Sequence, residues 1–263
     1  MDLGLTNKVA LVAAGSRGLG RAVAEELAAE GASLVLCARD SRTLDETAAS
    51  IAKNSNAHVF AVPADVTITE DIKRVVDTGI ERFGRIDILV TNAGGPPAGS
   101  FEQLTHEQWE EAIRLTLFSA IELTRLVLPG MKERSWGRIL NITSIAVKQP
   151  IDNLILSNSL RAGLTGFART LANEVAADGI TVNNILPGYT RTERLEDLAQ
   201  MMAEKQGISP DEFRGKWEKE IPMGRLGEPR EFAALATFLV SERASYITGT
   251  SIQVDGGWIR SLL

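Results

Sequence analysis

The residues best suited to chemistry stand near the start of the chain. The apolar run Val9–Ala13 leads directly into Ala14-Gly15-Ser16-Arg17-Gly18-Leu19-Gly20, and a helical pattern follows at once. Glycines in a strand-to-helix turn let the backbone come close to a bound group, and the free N–H groups opening the helix attract anions. That chemistry is the cradling of a pyrophosphate. Gly15, Ser16, Arg17, Gly18, Leu19 and Gly20 are therefore candidate dinucleotide-binding residues, a ligand-free tight turn being the bland alternative. The second apolar run ends Cys37-Ala38-Arg39-Asp40. A carboxylate there holds a ribose 2′-hydroxyl, whereas an arginine accommodates a 2′-phosphate. Ala38 stands where the carboxylate is expected, Arg39 follows it, and Arg17 can reach the same phosphate. One charge-assisted hydrogen bond contributes about 1.5–3 kcal/mol, so Arg39 favours NADP(H) over NAD(H) by roughly tenfold to a hundredfold. Asp40 is expected to point the other way if the strand continues through it.

Such residues need a scaffold, and the chain spells one out. Apolar runs at Val9–Ala13, Leu34–Cys37, Val59–Val62, Ile86–Val90, Ile139–Ile142, Val182–Leu186 and Ile252–Val254 read as parallel strands covered on both faces. Helical patterns lie between them. Gly31 stops the Arg21–Glu30 helix, Thr67 with Glu70 and Thr105 with Gln108 have capping-box spacing, and Pro229 opens the Glu228–Val240 helix. This alternation predicts an α/β fold: a doubly wound, mostly parallel seven-stranded sheet with helices on both faces, Rossmann-like. Residues 1–263 are expected to form a single domain, with a charged, Met-containing lid insertion at about Glu193–Glu220, where Met201 and Met202 suit an adaptable apolar surface.

Further motifs identify a family. Asp65-Val66 follows the third strand, Asn92-Ala93-Gly94 the fourth, and Asn141-Ile142-Thr143-Ser144 ends the fifth. Pro187-Gly188-Tyr189-Thr190-Arg191-Thr192 follows the sixth, and the chain closes with Ile247-Thr248-Gly249 and Val254-Asp255-Gly256-Gly257. In this order and spacing they resemble the short-chain dehydrogenases/reductases, most closely the 3-oxoacyl-thioester (acyl-carrier-protein) reductase type, over almost the whole chain. The resemblance implies that Asp65 and Val66 contact adenine and that Asn92, Ala93 and Gly94 lie beside the cofactor. It further implies that Pro187, Gly188, Thr190 and Thr192 cover the nicotinamide, and that Ser144 is catalytic. The family's helices after the fourth and fifth strands commonly build a dimer or tetramer, so a homo-oligomer is expected, and the apolar stretch Phe118–Leu128 suits one.

The departures bear on activity. Ala13 and Ala14 replace the first two residues of the family's T-G-x-x-x-G-x-G loop, and Gly15 is the neighbour able to take up a positive φ. The family's Y-x-x-x-K falls on Ser157-Asn158-Ser159-Leu160-Arg161, and its helix asparagine falls on Thr116. Ser157 and Arg161 share a helix face, as the family's pair does. Serine is a far weaker acid than tyrosine, and arginine does not give up its proton in a protein. General acid catalysis contributes about 10²–10⁴-fold, less than the roughly 7–11 kcal/mol available from positioning, so hydride transfer survives the loss in principle. Replacement proton donors are Lys148 and Tyr189, although Tyr189 suits packing against substrate and Lys148 suits a solvated loop.

Three functions follow as expectations. The first is an NADP(H)-dependent oxidoreductase interconverting a carbonyl and a secondary alcohol, with Ser144, Ser157 and Arg161 at its catalytic centre and Arg161 also toward the cofactor. The second is a fold-retaining NADP(H)-binding protein without redox activity, and the third is non-redox elimination or isomerisation. The chain has 263 residues, 44% hydrophobic and 24% charged, as for an ordinary globular protein. A net charge of −6 argues against nucleic-acid or anionic-membrane partners. One cysteine excludes a disulfide framework, and two histidines leave little for a metal centre. Met1 to Asn7 lacks an export pattern and no apolar run approaches membrane length, so a cytoplasmic protein is expected. Cys37 and the four tryptophans Trp109, Trp136, Trp217 and Trp258 read as packing residues.

Overall fold

Alternation of strand and helix runs through the computed structural model, which describes residues 2–262; Met1 and Leu263, the ends of the expected single domain, lie outside them. The first half reads β1 (Val9–Ala13), α1 (Gly18–Ala29), β2 (Ser33–Ala38), α2 (Ser41–Ser55), β3 (Val59–Pro63), α3 (Thr69–Phe83) and β4 (Ile88–Thr91). Then follow α4 (His106–Ile113), α5 (Ser119–Glu133), β5 (Gly137–Ile142), α6 (Ile155–Val175) and β6 (Ile180–Pro187). The chain ends with α7 (Glu193–Gln206), α8 (Pro210–Glu220), α9 (Pro229–Leu239) and β7 (Ser251–Val254). The strands form one seven-stranded parallel sheet in the order β3-β2-β1-β4-β5-β6-β7. Chain direction across the sheet reverses between β1 and β4, and the crevice outside the strand ends at such a point is where ligands bind in open α/β sheets.

Burial explains the continuous apolar runs. Alternate residues of β1 feed two different cores. Ala10 and Val12 pack with Leu27, Leu44 and Phe232 of α1, α2 and α9, while Val9, Leu11 and Ala13 pack with Val75, Leu123 and Leu171 of α3, α5 and α6. Side chains alternate along a strand, so a strand covered on both faces must be apolar at every position. Four polar exceptions form a ladder across the sheet. Thr91 Oγ1 donates to Asn141 Oδ1 (2.7 Å), Asn141 Nδ2 to Asn184 Oδ1 (3.1 Å), and Asn184 Nδ2 to Ser251 Oγ (3.1 Å). This chain spans β4 to β7 inside the sheet and fixes the register of the four strands; a one-residue slip would break it.

Several local expectations need correction. The helix after the glycine turn starts at Gly18, three residues before Arg21, and β4 starts at Ile88 rather than Ile86. Thr67 caps nothing, because its N–H and hydroxyl both donate to Asp65 Oδ1 (2.9 and 2.8 Å) and Ile68 is the residue before α3. Strand β2 ends at Ala38 and does not run through Asp40, whose carboxylate caps α2 by accepting from the Thr43 N–H (2.8 Å). Asp40 is thus spent on helix capping. Thr105 and Gln108 do form the capping box, and Pro229 does open α9. Residues Glu193–Glu220 form two helices. Ala199, Ala203, Phe213 and Trp217 build their own small core, onto which Tyr189, Met202 and Trp258 pack.

Candidate active site

The glycine turn departs from the expected division of labour. Gly15 is not the residue with positive φ; Ala14 itself adopts φ +47°. Gly15 is held instead by its N–H donating to the Cys37 carbonyl (3.1 Å), and a Cβ on it would lie 3.1 Å from the Val12 carbonyl oxygen. Gly18 has φ +54°, and a Cβ on Gly20 would press on the Ala14 carbonyl and lie 2.8 Å from Asn92 Nδ2. Both glycines are therefore required by the turn. Thr47 of α2 braces it, donating to the Ser16 carbonyl (2.9 Å), and Leu19 tucks against the core. Arg17 precedes α1 without a side-chain cap, and no acidic residue stands in the first turn, so the helix N–H groups face outward unneutralised.

Around this turn lie the other sequence-selected residues. Asn92 Nδ2 points toward the Ala14 carbonyl at 3.5 Å, linking the β4 turn to the glycine turn. Ala93 lines a small cavity, and a Cβ on Gly94 would meet open space. The Asp65 N–H donates to Asp71 Oδ2 (2.8 Å), and Val66 packs beneath α3. Gly188 passes so close to Asp255 that a Cβ would lie 2.7 Å from the Asp255 Cα. Pro187 ends β6, Thr190 is buried, and Thr192 caps α7, its hydroxyl accepting from the Leu195 N–H at 3.3 Å. The Thr192 methyl also abuts the Gly18 position, so α7 begins against the glycine turn. Arg39 is exposed with no partner among the described residues, whereas Arg17 meets Glu193 Oε2 (3.3 Å) and Thr43 Oγ1 (3.1 Å).

Arg161 organises the catalytic candidates. Its Nε donates to Ser157 Oγ (3.1 Å), and one terminal nitrogen donates to the carbonyls of Ile142 (3.0 Å) and Thr143 (2.7 Å). The guanidinium thus joins Ser157 of α6 to the residue just before Ser144. Burial, and then the nearby Arg194, lower Arg161 to about 10, which leaves it charged at neutral pH. Ser144 has extended backbone after β5, and its Oγ accepts from the Ala146 N–H (3.1 Å). Ser144 and Ser157 each accept one of these bonds, leaving the hydroxyl proton of each to donate outward. Thr116 lies in a π-helical turn between α4 and α5. Its hydroxyl has no partner and faces a cavity of about 10 Å³ shared with Arg161 and Ser119, room for about one water.

The two replacement proton donors fare badly. Lys148 is not a solvated loop charge: it is half-buried and donates to Gln253 Oε1 (2.7 Å). Tyr189 stacks on Trp217 with ring centroids 5.0 Å apart and meets Trp258 edge-on at 5.7 Å. Burial, followed by the Glu220 charge, pushes its phenol up to about 12, the wrong direction for an acid catalyst. A cavity of about 300 Å³ lies beyond Tyr189, toward Arg225 and Asp255, and none of Ser144, Ser157 and Arg161 lines it. Sequence reasoning missed Arg194, which approaches Gly95 and donates to the Pro96 carbonyl at 3.4 Å; its only signal was its place two residues past Thr192. Among the described residues no cluster could hold a metal ion, and no helix is long and apolar enough to cross a membrane.

Comparison with known proteins agrees with this architecture. The family profile described as enoyl-(acyl carrier protein) reductase matches residues 13–259. The 3-oxoacyl-(acyl-carrier-protein) reductase of Aquifex aeolicus (strain VF5) is 33% identical over 257 residues, 98% of this chain and 99% of that one. That of Escherichia coli (strain K12) is 35% identical over 250 residues, 95% and 96% of the two chains. The structure of L-sorbose reductase from Gluconobacter frateurii, complexed with NADPH and L-sorbose, superposes with a TM-score of 0.95 at 36% identity, covering 100% of both chains.

Proposed function

Since the chain belongs to the short-chain dehydrogenase/reductase family, we propose that it is an NADP(H)-dependent oxidoreductase interconverting a carbonyl and a secondary alcohol, with a proton donor other than the family's tyrosine. The single observation that carries this reading is the built cradle at the glycine turn. Gly20 has no room for a side chain, Gly18 needs its positive φ, and the N-terminus of α1 is left uncapped and unneutralised. Those features fit a pyrophosphate. Arg39, exposed and unpartnered, and Arg17 suit a 2′-phosphate, and the Asn92–Gly94 turn with the Pro187–Thr192 loop would flank the nicotinamide. Asp65 and Val66 would take the adenine. NADP(H), when bound, supplies or accepts a hydride.

The chain's own residues supply the remainder. Ser144 and Ser157 donate hydrogen bonds to the substrate oxygen, and the guanidinium on Ser157 Oγ strengthens that donor by polarising it. Arg161 stays protonated and stabilises negative charge without releasing its proton. The proton that neutralises an alkoxide comes from water, for which Thr116, Ser119 and Arg161 supply the polar part of the lining of a small chamber. The helix pair α7–α8 serves as the substrate lid. A dimer or tetramer completes the proposal, with Phe118, 52% exposed, as the first residue to test at its interface.

The test is NADPH oxidation across a panel of ketones and 3-oxoacyl thioesters, run on the wild type and on the double variant Ser157→Tyr with Arg161→Lys. Turnover of at least one carbonyl by the wild type is expected. Tight NADPH binding with turnover only in the double variant would make the chain a fold-retaining binder, and substrate loss without any absorbance change would make its chemistry non-redox.

A further inference from the structure

Two arginines flank the loop that leaves β4. Arg161 lines the small cavity together with Asn92 and Ala93. Arg194 sits on the opposite part of the same loop, where a Cβ on Gly95 would lie 3.1 Å from its guanidinium. Neither has a carboxylate partner among the described residues. Arg161 is satisfied by two carbonyls and a hydroxyl, and Arg194 by one long bond, 3.4 Å, to the Pro96 carbonyl. Arg194 also adds, after burial, to the lowering of the Arg161 guanidinium. Two like charges held near each other without an anion are costly, and a bound anion relieves the cost.

Chain direction separates this feature from the phosphate turn. Glu193 and Arg194 are successive residues in the first turn of α7, yet they diverge. Glu193 meets Arg17 of the glycine turn at 3.3 Å, while Arg194 reaches the other way, to Gly95 and Pro96. Arg194, in the opening turn of the helix pair, therefore faces the loop whose other part borders the cavity at Arg161.

We propose that Arg194 is a specificity-determining residue that binds a carboxylate of the substrate, so that the enzyme acts on oxo acids and hydroxy acids in preference to neutral ketones. The inference rests on the oxidoreductase reading above. A planar, bidentate donor that is always charged is the side chain suited to a carboxylate. Arg194 is largely solvent-exposed, so truncating it leaves the fold standing.

The experiment measures kcat/KM with NADPH for 2-oxo-4-phenylbutanoate, 4-oxo-4-phenylbutanoate and their methyl esters, in the wild type, Arg194→Ala and Arg194→Lys. Acids should exceed esters by about tenfold to a hundredfold in the wild type. Arg194→Ala should erase that ratio through the KM of the acids, with the esters affected far less and NADPH affinity held within about twofold, and Arg194→Lys should keep part of the ratio. Equal use of acid and ester by the wild type would overturn the inference. So would a ratio untouched by Arg194→Ala, or a loss of NADPH affinity in its place, which would assign the arginine to the cofactor's pyrophosphate. Absence of turnover with every compound would sink the oxidoreductase reading instead. Calorimetric titration of the NADP⁺-saturated protein with 2-oxo-4-phenylbutanoate then decides the inference separately: binding lost in Arg194→Ala supports it, and no binding to the wild type refutes it.

Discussion

Replacing Ala14 by glycine should stabilise the protein. Ala14 holds φ +47°, where a Cβ crowds its own carbonyl at a cost of about 1–2 kcal/mol. The turn cannot relax away from this conformation. Asn92 Nδ2 lies 3.5 Å from the Ala14 oxygen, the Gly15 N–H is tied to the Cys37 carbonyl at 3.1 Å, and Gly20 sits directly beneath. Glycine removes the strain but loses roughly 0.5–1 kcal/mol to its freer unfolded chain. The net gain for Ala14→Gly is about 0.5–1 kcal/mol, or about 1–4 °C in melting temperature for a chain of this size. Gly20→Ala is the matched control. Helix propensity alone would make it favourable, but its methyl would lie 2.8 Å from Asn92 Nδ2 and overpack the turn, at a cost of about 1–3 kcal/mol. Circular-dichroism melting without cofactor measures both, and an NADPH titration should register at least a tenfold weakening only in Gly20→Ala. A lower melting temperature for Ala14→Gly, or a stabilised Gly20→Ala, would refute the geometric reasoning.

Arg161→Met removes three hydrogen bonds and strands two carbonyls, so a loss of about 2–4 kcal/mol is expected, read as a melting temperature lower by roughly 5–15 °C. Tyr189→Phe should change kcat by less than about threefold, and the pH–rate profile should carry no tyrosine limb between pH 6 and 10; a loss of a hundredfold or more would restore Tyr189 as the acid. Cys37, buried so that its thiol is pushed up to about 12, should resist Ellman's reagent at pH 8 until guanidinium unfolds the chain. Folding favours that neutral thiol, so its contribution to stability is complete below the unfolded value near 9 and declines as pH rises toward 12, measurable as a fall in the denaturation midpoint that is smaller in Cys37→Ala.

The sheet was legible because its strands are covered on both faces, which writes most of them as nearly continuous apolar runs with edges misplaced by only a residue or two. Element ends governed by side-chain choice were harder. Asp65 outcompeted the start of α3 for Thr67, and Asp40 became a helix cap where a longer strand was expected. The glycine turn was recognisable by composition, but which residue would bear the positive φ depends on the bond from Gly15 to the Cys37 carbonyl and on the close approach of Gly20 to Ala14, which spacing alone does not show. The Ser157–Arg161 contact follows from helical spacing and was foreseeable. The polar ladder from Thr91 to Ser251 and the approach of Arg194 to Gly95 were not, because both depend on strand register and on how α7 leaves the sheet.

A fluorescence titration of the purified protein with NADPH and, in parallel, NADH tests the central claim most directly. The account requires micromolar NADPH binding at least tenfold tighter than NADH, with the preference lost in Arg39→Ala. Failure to bind either nucleotide would contradict it, for the cradle at Gly18 and Gly20 would then be a turn and nothing more.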